Sequence, residues 1–417
     1  MTRTPALLCL GVLVCTGVAA GQSLPQDESC ITCHRNETDE RLRQPALDYP
    51  SDLHAQAGLG CLACHGNPAL GRAGGFLAKP ERRAIPELCG SCHSDGAFMR
   101  QYNPGLRVDQ VAEYRTSVHG QLLAERGDTS VAVCVNCHPA HRIRPASDPE
   151  SSVYPLNVVE TCGRCHGDAE RMAPYGIPTN QPDHYRESVH WTWMVEQEDL
   201  TAPTCNDCHG NHGASPPGVS SVRAVCGQCH SIMEGFFRGS QHDRYFVEAD
   251  MPGCAACHGN HAIQPTNDER LLRVADSVCT TCHTPGDSAA RVFHVVRALI
   301  DSLARERDRA HAMLAEAENR GMEVSEAQFR LEDATNALVQ ARTAIHAFRV
   351  DSVEHRVAAG LVVAAAGQAR GAAAIREYLF RREGLAVSVV LILLLIAGLI
   401  FKIRELDRNS TERPDGQ

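Results

Sequence analysis

A five-residue motif, Cys-x-x-Cys-His, recurs nine times between residues 30 and 283 of this 417-residue chain. Its cysteines are Cys30 and Cys33, Cys61 and Cys64, Cys89 and Cys92, Cys134 and Cys137, Cys162 and Cys165, Cys205 and Cys208, Cys226 and Cys229, Cys254 and Cys257, and Cys279 and Cys282. Its histidines are His34, His65, His93, His138, His166, His209, His230, His258 and His283. Only Cys9 and Cys15 lie outside the motif, so the fold of residues 30–283 must accommodate these nine sites.

Cys-x-x-Cys-His is the attachment signature of c-type haem. The two thiols bond to the porphyrin edge, and the adjoining imidazole becomes the proximal ligand of the iron. Other uses of cysteine pairs do not account for the motif. Structural zinc needs no histidine directly after each pair, a redox-active pair belongs to one structural unit, and a disulfide framework has no use for nine histidines. The sequence therefore predicts nine covalently attached haem c groups.

Residues 1–20 are typical of a secretory signal peptide. An apolar run follows Arg3, and small residues end at Ala20, after which cleavage is expected. Cys9 and Cys15 would leave with the signal peptide. A lipoprotein start at Cys15 is the alternative, but Val14 is bulkier than the residue usual before such a cysteine. Export agrees with the motifs, because c-type haem attachment belongs to the bacterial periplasm or an equivalent compartment.

Residues 21–287 form the predicted nine-haem domain. The region is rich in Gly, Pro, Asn, Asp and His and has no sustained hydrophobic period, and aromatic residues make up only 5% of the chain. Such a composition does not build a conventional apolar core. The porphyrins would supply the missing apolar surface. We therefore expect a mainly α fold of short helices and irregular loops wrapped on haem, with almost no sheet.

The haem motifs after the first are arranged in four two-haem repeats. Repeats 2, 3 and 4 contain a leading histidine in Ser-x-His, a first motif, a trailing histidine three residues later, and a second motif. The leading histidines are His119, His190 and His242, and the trailing histidines are His141, His212 and His261. Repeat 1 is degenerate: Ser51-Asp52-Leu53-His54 leads it, and Pro68 stands where the trailing histidine is expected. The Cys30 motif stands alone before repeat 1.

The repeated histidines are the predicted distal ligands, because fixed offsets in several copies are not expected of ordinary surface or capping histidines. His54, and His184 outside the repeat, are further candidates, which makes eight for nine haems. The ninth would come from the helical part, from a non-histidine ligand, or not exist. We predict that His294 supplies it, from the apolar side of the first long helix beside Val292 and Val296. A core-facing histidine bonded to a backbone carbonyl is the alternative.

Residues 288–383 are predicted to form a helical hairpin and stalk. Two apolar seams with heptad spacing indicate antiparallel helices. Asn319-Arg320-Gly321 is expected to end the first helix, and Ser325 with Gln328 is expected to form a capping box at the second. A third helix would start at residue 351 or 352. The same seams also suit an oligomer formed through the hairpin.

Residues 384–402 are predicted to span a membrane. The 18 residues from Gly384 to Phe401 carry no charge and, at about 1.5 Å per residue, are long enough to cross the hydrocarbon core. A buried core helix is the alternative. Because the haem domain must lie outside the cytoplasm, residues 403–417 would form a cytoplasmic tail. The protein would then be single-pass in the cytoplasmic (inner) membrane, with the haem domain in the periplasm.

Residues 30 to about 283 resemble the multihaem c-type cytochromes of bacterial respiration that have doubled Cys-x-x-Cys-His units. The resemblance implies closely packed, mostly bis-histidine haems that relay electrons between an inner-membrane, quinol-linked donor and a periplasmic or outer-membrane acceptor. The formal net charge of −10 gives no case for a nucleic-acid partner.

The layout is also similar to pentahaem nitrite reductases and hydroxylamine oxidoreductases, in which one five-coordinate haem is open to substrate. The nitrite reductase type often replaces a proximal histidine with lysine. The chain has only Lys79 and Lys402, and neither lies in a haem motif. That variant is absent, whereas an all-histidine open haem is not excluded. We therefore favour an electron-transfer protein over an enzyme.

Overall fold

The computed structural model describes residues 25–66, 79–215, 222–268, 278–284 and 286–411. These residues are mostly helical and contain no strand, which confirms the predicted mainly α class. The predicted signal peptide, Pro68 and residues 412–417 lie outside the described part of the chain.

Short helices dominate the haem-motif region, and three long helices follow it. The α-helices among the described residues are α1 Pro25–His34, α2 Glu40–Asp48, α3 Leu53–Gln56, α4 Cys61–His65, α5 Ile85–His93, α6 Gly96–Met99, α7 Gln110–Thr116, α8 Val118–Glu125, α9 Cys134–Cys137, α10 Pro155–His166, α11 Ala169–Met172, α12 Gln181–Arg186, α13 Val189–Glu196, α14 Cys205–His209, α15 Val222–Gly227, α16 Ser231–Arg238, α17 Gln241–Glu248, α18 Ala255–His258, α19 Ser288–Asn319, α20 Ser325–Ala344 and α21 Val350–Thr411. Short 3-10 helices cover Tyr49–Ser51, Arg82–Ala84, Ala173–Tyr175, Val278–Thr281 and Ile345–Ala347.

The chain divides into two compact units. One contains residues 1–218 with 258–265, and the other contains residues 219–257 with 266–417. The division falls inside the haem-motif region, and the predicted domain boundary after residue 287 stays a prediction.

The first compact unit has little apolar core of its own. Its one extended cluster of buried apolar side chains joins Ile85 of α5 and Leu123 of α8 with Val131 and Val133, within the described residues. A small cluster of this kind stabilises only its immediate surroundings. The composition of the haem-motif region likewise predicts that it has no conventional apolar core.

The second compact unit contains a three-helix bundle of α19, α20 and the first part of α21. The predicted seams are its buried faces, as Leu303 and Ala310 of α19 and Leu338 of α20 show with 0% exposure. Gly321 ends the α19–α20 turn in the left-handed region, at φ +77°, as predicted.

The predicted capping box at α20 is wrong. Val324 occupies the N-cap position, and the hydroxyl of Ser325 donates to Glu323 instead of accepting from the helix. The side chain of Gln328 reaches Glu318 at the end of α19, at 2.8 Å. The acidic side chain of Glu323 thus takes the capping role, because it accepts from the backbone N–H of Ser325 at 3.0 Å.

A single helix, α21, continues from the bundle through the apolar segment, where the sequence suggested two successive helices. Its most apolar 18-residue window has a mean hydropathy of 3.0 and is 0% buried. A core helix would be covered by protein, so the buried-core alternative is wrong for this segment. The helix is compatible with a single-pass membrane protein.

Small residues in the first part of α21 allow close packing in the bundle. A Cβ atom at Gly360 would lie 2.8 Å from both methyl carbons of Leu303 and 2.9 Å from the Cβ of Ala337. Real Cβ contacts are longer than this, so α21 can approach α19 and α20 here only because residue 360 has no side chain.

We expect Gly360→Val to lower the free energy of unfolding by about 1–3 kcal/mol, because the added carbons overpack the bundle. Thermal unfolding followed by far-ultraviolet circular dichroism measures the loss. Gly384→Val in the same helix is the control, since a Cβ there meets nothing within 4 Å. Equal melting temperatures for the two variants would contradict the packing assignment.

Candidate haem sites

The motif residues lie on short helices that bring cysteine and histidine to one side. In α4 and α14 the complete motif forms the helix, and α5 and α10 end with a motif. Residues at positions i, i+3 and i+4 share one face of an α-helix. Both thiols and the imidazole of a motif can therefore face one flat group.

Histidine rings outside the motifs lie opposite the motif histidines. The centroid separations are 6.0 Å for His54 and His93, 5.9 Å for His65 and His141, 6.1 Å for His119 and His166, 6.3 Å for His138 and His212, 5.9 Å for His209 and His261, and 5.9 Å for His242 and His283. Two imidazoles on opposite sides of one metal ion need about 6 Å, from roughly 2 Å per metal–nitrogen bond and roughly 1 Å from nitrogen to centroid. Six of the predicted distal ligands thus lie at the separation from a motif histidine that two imidazoles on one metal ion require.

The pairs follow one rule along the repeats. A leading histidine faces the second motif of its own repeat, as His54 faces His93 and His119 faces His166. A trailing histidine faces the first motif of the preceding repeat. The trailing pairs are His141 with His65, His212 with His138, and His261 with His209. The second, third and fourth repeats therefore each place a trailing histidine opposite a motif histidine of the repeat before it.

His190 and His184 are the other predicted distal ligands in the motif region. His190 is the second residue of α13, the position that His119 and His242 occupy in α8 and α17. His184 lies on α12 with its Nε2 3.3 Å from the side-chain nitrogen of Asn180. The ligand roles of His184 and His190 stay predictions.

His294 is exposed on α19, so the prediction that it lies on the apolar side of that helix is wrong. The buried face runs through Val296 and Ile300, and a residue two positions before Val296 points about 200° away from it. Within the described part of the chain, His294 makes no ring contact with another histidine.

Helix capping explains the Ser-x-His signature. Ser117, Ser188 and Ser240 are the N-caps of α8, α13 and α17, and each hydroxyl accepts a backbone N–H of the first turn. In repeat 1 the cap of α3 is Asp52, two residues before His54, rather than Ser51. An N-cap fixes where the helix begins. The leading histidine is thus held at the second helical position in all four repeats.

A repeated backbone hydrogen bond links neighbouring repeats. The N–H before the leading histidine donates to the carbonyl two residues after the trailing histidine of the next repeat. The three bonds are Leu53 to Ile143 at 2.9 Å, Val118 to Ala214 at 3.1 Å, and Val189 to Ile263 at 2.7 Å. This hydrogen bond therefore fixes the leading helix of one repeat relative to the segment that carries the trailing histidine of the next repeat.

In repeats 1, 2 and 3 a tyrosine ties the leading segment to the first motif of its repeat. The hydroxyl of Tyr114 donates to the carbonyl of Ala132 at 2.8 Å, and that of Tyr185 to Pro203 at 2.9 Å. Tyr49 makes the same bond to Leu59. Each accepting carbonyl lies two residues before the first cysteine. Burial raises the pKa of Tyr114 to about 12, so this hydroxyl stays a donor near neutral pH.

Several imidazoles are oriented through Nδ1, which leaves Nε2 for a metal. Asp52, which is 1% exposed, accepts from His54 Nδ1 at 3.0 Å, and Asp287 accepts from His283 Nδ1 at 3.2 Å. The carbonyl of Ser215 lies 3.3 Å from His209 Nδ1. A carboxylate or carbonyl only accepts, so Nδ1 carries the proton. This is the usual support for a metal-bound histidine.

The protonation of the paired histidines agrees with a ligand role. Burial lowers the pKa of His93, His119, His138, His141, His166, His212, His242 and His261. A neighbouring histidine lowers it further at all of them except His212, where the charge of Glu113 acts in the opposite direction. A neutral imidazole is the form that binds a metal. For Asp52, burial raises the pKa, but hydrogen bonds from His54 and Ile143 outweigh it, and the carboxyl stays ionised.

Consecutive motifs meet through their thiols. Cys134 raises the pKa of the Cys89 thiol, Cys205 that of the Cys162 thiol, and Cys226 that of the Cys254 thiol, so the two sulfur atoms of each pair lie close together. In each pair, the first cysteine of a second motif meets the first cysteine of the next repeat. Successive attachment points therefore lie side by side.

The helical bundle is joined to repeat 4 by Phe348, a residue to which the sequence pointed only as part of an apolar seam. Its ring lies 3.9 Å from that of His242, centroid to centroid, and it also contacts Phe237 and Phe293. Phe348 adopts φ +53°, just after the 3-10 turn Ile345–Ala347. A bidentate ion pair between Arg342 and Asp268, at 2.6 and 3.0 Å, adds a second link.

The residues present fit haem c. Within the described residues no three His, Cys, Asp or Glu side chains converge on a metal site, whereas imidazoles come in opposed pairs, as a porphyrin-bound iron needs. The buried Nδ1 of His242 has no hydrogen-bond partner in the same residues. Such an atom is costly unless something binds it.

Comparison of the chain with protein-family models, curated proteins and solved structures gave no match.

We expect Asp52→Ser to raise the midpoint potential of the haem that is predicted at Cys89 and Cys92, while preserving the helix cap. The carboxylate makes the imidazole of His54 a stronger donor and so favours the oxidised iron. Potentiometric titration followed by electron paramagnetic resonance measures the change. Asp52→Ala also removes the cap and should cost about 0.5–2 kcal/mol of stability. Unchanged potentials in Asp52→Ser would contradict the role of the carboxylate.

Proposed function

We propose that this chain is a nine-haem c-type cytochrome that relays electrons from a quinol-linked donor in the cytoplasmic membrane to a periplasmic or outer-membrane acceptor. The observation that carries the proposal is the set of six opposed histidine pairs. Each pair joins a Cys-x-x-Cys-His histidine to a histidine outside the motifs. Nothing in an ordinary α-helical protein requires such pairs six times.

Haem iron supplies a one-electron carrier whose shape changes little between oxidation states when two imidazoles bind it. The chain's own residues hold and orient those imidazoles. N-caps such as Ser117 and Asp52 place the leading rings. Nδ1 acceptors fix the tautomer of leading His54, through Asp52, and of motif His283, through Asp287. The thiol contacts between successive motifs support a relay, because electrons pass between carriers only over short distances.

The membrane anchor supports the proposed location. α21 carries the apolar segment directly from the helical bundle, and the bundle contacts repeat 4 through Phe348 and Arg342. Phe348 precedes Gly384 by 36 residues, so at about 1.5 Å per residue the last repeat would be held about 50 Å along α21 from the start of the apolar segment. We place the haem domain in the periplasm, because haem attachment belongs to that compartment.

We expect nine haems per mature chain and no free thiol, because each motif consumes its two cysteines. A pyridine haemochrome assay combined with intact mass measurement tests this stoichiometry. Fewer than eight covalent haems per chain would refute the proposed function.

We expect a chain that ends at Glu383 to be released in soluble form with its haems attached, because α21 is then left without its apolar part. The full-length protein should require detergent, and salt should not extract it. Fractionation of cell extracts tests both statements. Pelleting of the truncated chain with membranes would contradict the anchor.

His346 is a stronger candidate than His294 for a ligand from the helical part. It is half-buried, and its Nδ1 donates to the carbonyl of Thr343 at 2.9 Å, the kind of support that orients a metal-binding imidazole. The 3-10 turn that carries it packs against α16, which begins directly after the seventh motif. The repeat pattern did not point to His346, because this histidine has no counterpart in the repeats.

We expect His346→Ala to convert one low-spin haem to high spin and His294→Ala to change none, because the two side chains differ in burial. Electron paramagnetic resonance of the oxidised protein counts both kinds of iron. A new high-spin signal in His294→Ala alone would return the ligand role to His294.

A further inference from the structure

We propose that the haem attached at Cys30 and Cys33 has no histidine on its distal side and binds a small diatomic ligand there. The inference rests on the proposed nine-haem function and adds a ligand-binding site to it. It follows from the pairing rule of the repeats together with the one position at which the sequence breaks the rule.

The rule assigns the missing ligand to one position. A trailing histidine faces the first motif of the preceding repeat in all three pairs that the structure describes. The motif that precedes repeat 1 is the lone one at Cys30. Its distal ligand would therefore come from the trailing position of repeat 1, which is residue 68.

Position 68 has no metal-binding side chain, although the four residues before it match those of repeats 3 and 4. Repeats 3 and 4 read Cys-His-Gly-Asn-His, ending at His212 and His261, and repeat 1 reads Cys-His-Gly-Asn-Pro, ending at Pro68. Only the last residue differs, and a proline side chain cannot bind iron. Pro68 itself lies outside the described residues.

The helix of the lone motif contacts the helix of the Cys61 motif, which comes just before position 68 in the sequence. α1, which ends in the lone motif, packs against α4, the helix of the Cys61 motif. α4 ends at His65, three residues before Pro68. A histidine at position 68 would thus start from a helix that already contacts the helix of the lone motif.

No other described imidazole takes the position. Among the described residues, His34 makes no ring contact with a second histidine, unlike the six motif histidines above. Residues 67–78, which follow α4, contain no histidine, methionine, cysteine or lysine. The nearby chain therefore offers no common haem ligand in place of the missing imidazole.

The ligand class follows from coordination chemistry. An iron with four porphyrin nitrogens and one imidazole keeps one open position. In the reduced state such an iron binds small diatomic molecules such as carbon monoxide and nitric oxide, whereas a bis-histidine iron excludes them. Carbon monoxide is a suitable probe, because its binding changes the visible spectrum of only the open haem.

The test is a carbon monoxide titration of the dithionite-reduced full-length protein. We expect one carbon monoxide bound per nine haems, and a single high-spin signal in the oxidised protein. No binding to a protein with nine attached haems would overturn the inference and leave the relay intact. A haem count below eight, read before carbon monoxide is added, would instead refute the proposed function.

Variants tie the open position to residue 68. Pro68→His should abolish carbon monoxide binding and the high-spin signal, while the adjacent control Asn67→His should keep both. His54→Ala is the positive control, since it frees the haem of His93 and should raise the uptake to two per chain. Full carbon monoxide uptake by a nine-haem Pro68→His protein would contradict the assignment.

Discussion

Two imidazole rings held about 6 Å apart, many times over, are the constraint on which the motif region depends. Rings such as His65 and His141 are distant in sequence, so bringing them together costs loop-closure entropy. The described part of this region has few buried apolar side chains to offset that cost. We infer that binding of iron by the paired rings, together with burial of the porphyrin, stabilises the fold where an ordinary protein would use a core.

Polar contacts rather than packing set the ring positions. The cap at Ser117 or Asp52 starts the helix, the tyrosine hydroxyl ties it to the first motif, and a backbone bond ties it to the next repeat. These contacts recur at equivalent positions, so the repeats are structural copies. Because each trailing histidine serves the preceding repeat, the chain of repeats is incomplete at both ends. The lone first motif and the helical bundle are the two places where other arrangements are needed.

The sequence predicted the features that local spacing encodes. The nine motifs, the leading and trailing histidines, the seams of α19 and α20 and the apolar segment are all visible as fixed offsets or periods. The pairing between repeats was not predictable, because it depends on loop paths between distant residues. Asp52 was missed because Ser51 imitates the Ser-x-His pattern one residue too early. The helix face predicted for His294 was wrong, because Val296, two residues away, lies on the opposite side of the helix.

The most direct test of the account is the position of iron in crystals of the mature, haem-loaded protein. An anomalous difference map collected at the iron absorption edge locates each iron atom independently of the protein chain. The account predicts one peak between the two rings of each of the six pairs, for example between His54 and His93. Iron bound to the motif histidines, with the opposed rings displaced from it, would contradict the account.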